Sequence, residues 1–263
     1  MKKTAFLLTA VIVGTFAISA YAQENQQYLT HEPPENKTMK PEETEYYSPV
    51  PPVVTPGKNV SNDAPSDAIV LFDGKNLDKW ESANGGPARW TLADGAMTVK
   101  PNSGDIRTKE SFEDFQLHIE FREPYMPDKS SQERGNSGIF LQSQYELQVL
   151  DCYNNKTYVD GQTGSFYKQY APLVNVCRKP GEWQTYDVIY TAPRFNDDGS
   201  VKSPAYATVI QNGVLVQNHV ALKGKTEYIG HPWYSKHGPL PIQLQCHGEG
   251  DLVSYRNIWI RPL

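Results

Sequence analysis

The sequence is poor in basic residues and in long apolar runs. Its 25 Lys and Arg residues are outnumbered by 30 Asp and Glu residues, which gives a formal net charge of −5. Because nucleic-acid binding depends on clustered cations that neutralise phosphates, this balance predicts no nucleic-acid partner. After residue 22, no run reaches the roughly 20 apolar residues of a membrane-spanning helix, so no transmembrane segment is predicted.

Cysteine is also scarce. Cys152, Cys177 and Cys246 lack the C-x-x-C spacing typical of metal ligands. One interpretation joins Cys152 and Cys177 in a disulfide, because both lie in a loop-like region. The other leaves three unpaired thiols and packs Cys246 as a small apolar residue on a strand. The chain also lacks a glycine-rich phosphate loop and a G-x-S-x-G nucleophile motif.

The first 22 residues have the layout of a secretory signal peptide. Lys2 and Lys3 form a basic start, residues 5–18 are mostly apolar, and residues 20–22 form an Ala-Tyr-Ala cleavage site. This pattern predicts that the mature chain is released into the periplasm or the extracellular space.

Residues 23–66 differ in composition from the rest of the chain, with eight prolines and seven acidic residues against three basic ones. Such a composition is typical of linkers, so a disordered Pro-rich linker is predicted before a domain over residues 67–263. If the segment only spaces the domain from a surface or a partner, its deletion should leave the activity unchanged.

Residues 67–263 show apolar and polar residues in alternation, in short segments separated by Gly, Pro and Asn, with no long amphipathic helix. The alternation predicts strands over residues 68–72, 97–100, 115–121, 139–141, 145–150, 185–190, 205–210, 214–217, 242–246 and 253–260. Asn212-Gly213 predicts a tight hairpin turn. About ten strands, each with one apolar face, need a second sheet to cover them. The sequence therefore predicts an all-β fold, a two-sheet antiparallel jelly-roll sandwich.

Four ordered motifs carry a family resemblance. They are LFDGKNLDKW at residues 71–80, RGNSGI at 134–139, YELQVLD at 145–151 and YRNIWI at 255–260. Together they resemble the 3-keto-disaccharide hydrolase family over residues 68–263. The resemblance implies a concanavalin-like jelly roll in a secreted bacterial protein that acts on glycosides whose sugar carries a ketone at C3.

The third motif contains the first candidate catalytic residues. Strand alternation turns Glu146 and Gln148 away from the core, and one β-bulge near Val149 would bring Asp151 to the same face. Jelly-roll glycosidases of the laminarinase type have a similar strand with the pattern Glu-x-Asp-x-x-Glu. Here Gln148 replaces the middle Asp, which weakens the case for ordinary hydrolysis by two carboxylates. The alternative is a solvated outer face.

Other polar residues on predicted strands and loops complete the candidate site. His118 and Glu120 are either a surface pair or a base and a metal ligand. The predicted substrate-binding residues are Arg134, Asn136, Gln148, Tyr153, Gln245, His247 and Arg256, whose amides and cations suit sugar oxygens. A divalent cation is left open, with His118, Glu120, Glu146 and His247 as its candidate ligands.

Two long connecting segments are predicted to form a rim around this site. Residues 152–180 are rich in Tyr, Asn and Gly, and long ordered loops in compact domains usually carry function. The predicted contacts there are Tyr153, Tyr158, Gln162, Tyr167 and Lys168. The second segment is residues 228–238, whose aromatic and imidazole side chains are His231, Trp233, Tyr234 and His237. In residues 181–184, Trp183 is interpreted as a core residue or as a platform for a sugar ring.

The implied substrate suggests an elimination mechanism. A ketone at C3 acidifies the proton at C2, so one base and one stabiliser of the enolate suffice. The sequence offers Glu146 or His118 as the base and Asp151 as the acid that protonates the leaving oxygen. Arg134, His247 or a divalent cation would stabilise the enolate. The alternatives are a non-catalytic carbohydrate-binding module and a conventional glycoside hydrolase that uses Glu146 and Asp151.

Overall fold

The computed structural model describes residues 28–53, 63–248 and 250–263. The predicted signal peptide over residues 1–22 lies outside this part of the chain. Within it, no helix combines the length and the apolar character that a bilayer crossing requires.

The described residues are organised as β-strands joined by loops and short 3₁₀ turns. The strands are β1 (Ile69–Phe72), β2 (Trp80–Ser82), β3 (Thr91–Ala93), β4 (Ala96–Thr98), β5 (Ile106–Thr108), β6 (Phe115–Arg122), β7 (Ser137–Leu141), β8 (Tyr145–Val149), β9 (Gln184–Thr191), β10 (Arg194–Phe195), β11 (Val201–Ser203), β12 (Tyr206–Gln211), β13 (Val214–Ala221), β14 (Gln243–Leu244) and β15 (Ser254–Pro262). All ten predicted strands are present. The unpredicted ones, such as β2 and β5, have only two or three residues, which is too short for a visible period of two.

The strands form two main antiparallel sheets. The larger sheet has the order β13-β12-β9-β6-β15-β4-β3, with β1 also paired to β15, and the smaller one has the order β2-β5-β14-β7-β8. Strands β10 and β11 form a separate hairpin. This arrangement confirms the predicted two-sheet antiparallel jelly-roll sandwich.

The core lies between the two sheets. Leu117, Ile119 and Phe121 of β6 are fully buried and belong to the same apolar cluster as Leu147 and Val149 of β8. Three buried tyrosines connect the two sheets, because their hydroxyls donate hydrogen bonds across the core at 2.7 to 2.9 Å. Tyr186 donates to the Gln148 carbonyl, Tyr190 to Gln142 Oε1 and Tyr255 to Ser137 Oγ. Each buried hydroxyl is therefore satisfied, as a buried tyrosine requires.

The predicted hairpin turn is confirmed between β12 and β13. Asn212 and Gly213 both have positive φ, 52° and 81°, which is the geometry of a type I′ turn. The Asn212 side chain also accepts a hydrogen bond from the Thr185 amide at 2.9 Å and donates to the Val176 carbonyl at 2.9 Å.

Residues 28–53, which we call the N-terminal strap, pack against the domain. The Val159 amide donates to the Tyr46 carbonyl at 2.6 Å, and the Tyr46 amide donates to Asp160 Oδ1 at 3.0 Å. Farther towards the N-terminus, Asn36 exchanges two hydrogen bonds with the backbone of His231, at 3.1 and 2.9 Å. The predicted disordered linker is thus corrected for the described part of this segment. Its composition cannot form a core, but its backbone pairs with a surface that the domain supplies.

The three cysteines are unpaired in the described structure. Cys152 is buried and its sulfur accepts a hydrogen bond from the Thr163 amide at 3.2 Å. Cys246 lies beyond the end of β14, with its sulfur 3.6 Å from the Lys100 carbonyl. The interpretation with three thiols therefore describes this structure, although Cys246 is not on a strand.

Candidate active site

A cleft of about 550 Å³ lies on the outer face of the smaller sheet. Outward residues of β7 and β8 lie at its floor, and residues that follow β14 lie along one side. Its lining consists of Glu45, Gln132, Glu133, Asn136, Phe140, Glu146, Gln148, Tyr158, Tyr167, Thr226, Tyr228, Gln245 and His247. A volume of this size is typical of small-ligand sites, which span about 300 to 1,000 Å³.

Glu146 lies on the floor of the cleft, opposite Phe140 of β7. Its backbone amide donates to Thr226 Oγ1 at 2.9 Å, which fixes this part of β8. A Cβ atom at Gly138 would lie 2.9 Å from Glu146 Cγ and 3.0 Å from its Cδ. The second glycine of the Arg-Gly-Asn-Ser-Gly motif therefore leaves room for this carboxyl group.

The Glu146 carboxyl group is held in its neutral form. Only 5% of the residue is exposed. Burial, helped by the negative charge of Asp105, raises the pKa of Glu146 to about 8. At neutral pH most molecules therefore carry a proton on Glu146, and this group can donate it to a substrate oxygen.

Side-chain amides cover the neighbouring part of the cleft. Gln148 donates to Gln132 Oε1 at 3.1 Å, and Asn136 donates to the Gln132 carbonyl at 2.9 Å. The buried oxygens Gln148 Oε1 and Gln245 Oε1 have no hydrogen-bond partner among the described residues. They suit a ligand that brings hydroxyl donors into the cleft.

His247 and Asp251 form a dyad beside these amides. His247 Nδ1 lies 2.9 Å from Asp251 Oδ2, and the other carboxylate oxygen accepts the Asn136 backbone amide at 2.9 Å. Asp251 is buried, while 40% of the His247 side chain is exposed towards the cleft. The carboxylate favours the tautomer with the proton on Nδ1, which leaves Nε2 as a proton acceptor. Nε2 is 3.4 Å from Asn136 Nδ2.

His118, Glu120 and Arg256 lie on the outer face of the larger sheet. They alternate with core residues of β6 and β15, so they point away from the core on the side opposite to Glu146. His118 Nδ1 lies 2.7 Å from Asp187 Oδ1, and Arg256 Nε donates to Glu120 Oε2 at 2.6 Å. The predicted site residues His118, Glu120 and Arg256 therefore do not share the cleft with Glu146.

The second polar cluster is an ion-pair network. Burial alone would raise the pKa of Glu120, but hydrogen bonds from His118, Asn257 and Arg256 outweigh it and lower this pKa to about 2. Trp183 lies outside the core beneath Arg256, whose guanidinium carbon is 4.1 Å from the ring centroid. Neither interpretation of Trp183 as a core residue or as part of the cleft describes its position.

Arg134, Asp151 and Tyr153 form a turn beside the cleft and do not line it. Arg134 Nε donates to Asp151 Oδ2 at 2.7 Å, and Asp151 Oδ1 accepts the Tyr153 amide at 3.0 Å. The register between β7 and β8 is regular up to Val149, where β8 ends, so the paired part of the strand contains no bulge. Asp151 therefore does not join Glu146 in the cleft, and the structure places these three predicted site residues in a turn that their mutual contacts fix.

Comparisons with known proteins identify the family. The model of the 3-keto-alpha-glucoside-1,2-lyase-like domain matches residues 67–261. The chain belongs to this family. A candidate glycosyl hydrolase from Parabacteroides distasonis of known structure is 59% identical, with a TM-score of 0.76 over 84% of this chain and 96% of that one. Membership in this family supports a carbohydrate-active function.

Two further candidate glycosyl hydrolases from Parabacteroides distasonis share the fold. They are 21% and 24% identical, with TM-scores of 0.54 and 0.50, and each match covers 74% of this chain. The matches cover 94% and 99% of those chains. No curated protein matches this sequence.

The candidate metal ligands of this family member do not come together. His118 and Glu120 lie on one outer face of the sandwich, and Glu146 and His247 lie on the other. Across residues 28–53, 63–248 and 250–263, no group of three or more His, Cys, Asp or Glu side chains is arranged to hold a metal ion. These four candidate ligands therefore do not form a common metal site.

The structure adds cleft residues that the sequence did not indicate. The predicted rim contacts Tyr158 and Tyr167 do line the cleft, and their hydroxyls are 2.6 Å apart. The residues missed are Glu45, Gln132, Glu133, Phe140, Thr226 and Asp251, whereas Tyr228 is the first residue of the predicted second rim. Asp251 follows His247 by four residues, a spacing that could have suggested the dyad, whereas Glu45 lies in a segment whose composition predicts a linker.

Proposed function

We propose that the protein cleaves glycosides whose sugar carries a ketone at C3, by elimination across C1 and C2 followed by addition of water. One observation carries the proposal: a buried, protonated Glu146 and a proton-accepting His247 line the same amide-rich cleft. Family membership supports the same chemistry, because the family is described as 3-keto-alpha-glucoside-1,2-lyase-like.

In this mechanism His247 Nε2 removes the proton at C2, and Asp251 positions the imidazole. The electron pair forms the enolate at C3, which then expels the C1 substituent as the double bond between C1 and C2 forms. Glu146 donates its proton to the leaving oxygen. General acid and base catalysis of this kind contributes about 10²- to 10⁴-fold to a rate.

The cleft also contains donors for the developing enolate. The Asn136 amide and the Tyr167 hydroxyl line it and can donate to the oxyanion at C3. In the second stage, water adds its oxygen to C1 and a proton to C2, so the net reaction is hydrolysis of the glycosidic bond. This assignment replaces His118, Arg134 and Asp151, which lie outside the cleft, with groups that line it or contact it.

The test compares matched glucosides and 3-ketoglucosides as substrates. We expect the wild-type protein to cleave only the keto compound. Glu146→Gln and His247→Ala should each lower kcat at least about 100-fold, while calorimetry shows that the substrate still binds. His219→Ala, on the exposed face of β13, is the matched control and should retain full activity. A His247→Ala variant with wild-type kcat would contradict the proposed base.

The unpaired acceptors Gln148 Oε1 and Gln245 Oε1 also suit a second function, a carbohydrate-binding module without catalysis. Such a module would bind saccharides in calorimetry and cleave neither substrate. A conventional glycosidase that pairs Glu146 with Asp151 is disfavoured, because Asp151 does not line the cleft. The signal-like start of the chain supports action in the periplasm or outside the cell, which cell fractionation would test.

A further inference from the structure

The N-terminal strap contributes a carboxylate to the cleft. Glu45 lines it together with Tyr158, Tyr167 and Tyr228, although the residue lies outside the region that matches the family. Its side chain is only 11% exposed. The neighbouring Tyr47 hydroxyl donates to Glu45 Oε2 at 2.8 Å, so the carboxylate has a defined orientation.

Buried charged groups of the domain hold the strap on both sides of Glu45. Lys168 Nζ donates to the Pro41 carbonyl at 2.7 Å and lies 3.7 Å from Glu45 Oε1. Asp160 accepts the amide of Tyr46, the next residue along the strap. Lys168 is 4% exposed and Asp160 is 1% exposed. A buried charge without a partner is costly, so these contacts give the strap a specific position.

Lys168 also links the strap to the aromatic wall of the cleft. Its Nζ lies 5.7 Å from the ring centroids of both Tyr158 and Tyr167, and 4.9 Å from that of Tyr228. It donates to the Tyr228 carbonyl at 2.9 Å. One buried ammonium group therefore connects the strap to three residues that line the cleft.

We propose that the strap is a wall of the sugar-binding cleft and that Glu45 is a specificity-determining residue that accepts hydrogen bonds from sugar hydroxyls. The inference rests on the proposed function of the same cleft. Carboxylates and aromatic side chains are common partners of sugars, because a carboxylate accepts hydrogen bonds from sugar hydroxyls and an aromatic side chain packs against the sugar ring. Because the strap is hydrogen-bonded to the domain on both sides of Glu45, at Pro41 and at Tyr46, we infer that it limits how far a saccharide extends past Glu45. The site therefore selects short keto-glycosides over long ones.

The test uses Glu45→Gln, a chain lacking residues 23–53, and Glu42→Gln as the control. Glu42 is exposed on the same strap and does not line the cleft. Each protein is assayed with a methyl 3-ketoglucoside and with a long oligosaccharide that carries the same keto sugar at its end. Thermal unfolding verifies that each variant is folded.

We expect Glu45→Gln to raise KM for the short substrate about tenfold, the equivalent of one lost hydrogen bond of about 1.4 kcal/mol, with kcat little changed. The shortened chain should raise kcat/KM for the long substrate relative to the short one, and Glu42→Gln should match the wild type. If the shortened chain does not fold, the KM of Glu45→Gln for the short substrate tests the role of Glu45 by itself.

Wild-type KM in Glu45→Gln, or a wild-type substrate ratio in a folded shortened chain, would overturn the role of the strap. Cleavage of the keto substrates by the wild-type protein would then still support the proposed function. If the wild-type protein cleaves neither keto substrate, the proposed function fails, and saccharide binding measured by calorimetry decides the role of Glu45 separately.

Discussion

Replacing Glu146 by Gln should make the protein more stable in neutral and alkaline solution. The pKa of Glu146 rises from its ordinary 4.5 to about 8 because the carboxyl group is buried. Below pH 4.5 the group is protonated in both the folded and the unfolded chain. As the pH rises from 4.5 to 8, the unfolded chain releases this proton while the folded chain retains it, so unfolding becomes more favourable. Above pH 8 the group is deprotonated in both states, so its destabilising contribution to folding stays constant.

The size of the effect follows from the shift. One pKa unit corresponds to about 1.4 kcal/mol, so wild-type folding carries a penalty of about 3 kcal/mol at pH 7 and about 5 kcal/mol above pH 8. Gln has nearly the same shape and no proton to release. The free energy of unfolding of Glu146→Gln should therefore exceed that of the wild type by an amount that grows by about 3 kcal/mol between pH 4 and pH 7.

Urea unfolding at a series of pH values measures this difference directly. Glu42→Gln serves as the control, because its charge is exposed to water, and its curve should follow the wild type. If the curves of Glu146→Gln and the wild type stay parallel from pH 4 to pH 9, Glu146 is not a buried neutral acid. Its role as the proton donor of the mechanism would then be refuted.

Two other substitutions test the surroundings of the cleft and the opposite face. Gly138→Ala places a Cβ against the Glu146 side chain, so we expect a loss of about 1 to 3 kcal/mol in thermal or urea unfolding, whereas Gly238→Ala, with open space around it, should be neutral. Glu120→Gln breaks the pair with Arg256 and should cost about 3 kcal/mol at pH 7 without loss of activity. Because the pKa of Glu120 is lowered to about 2, the charged carboxylate stabilises the folded chain above pH 4.5, and this stabilisation is lost as the pH falls towards 2. The unfolding free energies of Glu120→Gln and the wild type should therefore converge near pH 2. Equal stabilities at pH 7 would contradict the contribution of this ion pair.

The catalytic assignment depends on which polar residues share a face. From the sequence, His118 and Glu146 are equivalent, because each alternates with apolar neighbours along its strand. Each does point away from the core, yet the two strands belong to different sheets, and the outer faces of a sandwich point in opposite directions. A period of two in one strand carries no information about the sheet in which that strand lies.

The predicted position of Asp151 was wrong for a related reason. Asp151 was expected to join Glu146 through a bulge, since an unpaired buried carboxylate would be costly. The structure satisfies Asp151 with Arg134 and the Tyr153 amide instead. The partner that makes burial tolerable comes from another segment, and only the folded chain shows which segment that is.

By itself, the sequence determined the fold class, ten of the strands, the Asn212-Gly213 turn and the outward direction of Glu146 and Gln148. These features depend on local alternation and local backbone conformation, which neighbouring residues encode directly. The tertiary structure decided that His247 pairs with Asp251, that His118 lies on the opposite face and that the strap brings Glu45 to the cleft. Each of these features depends on how segments that are distant along the chain, or separated by an irregular loop, are arranged in space. Such contacts are fixed by how the sheets and loops pack, because no single segment specifies its distant partner.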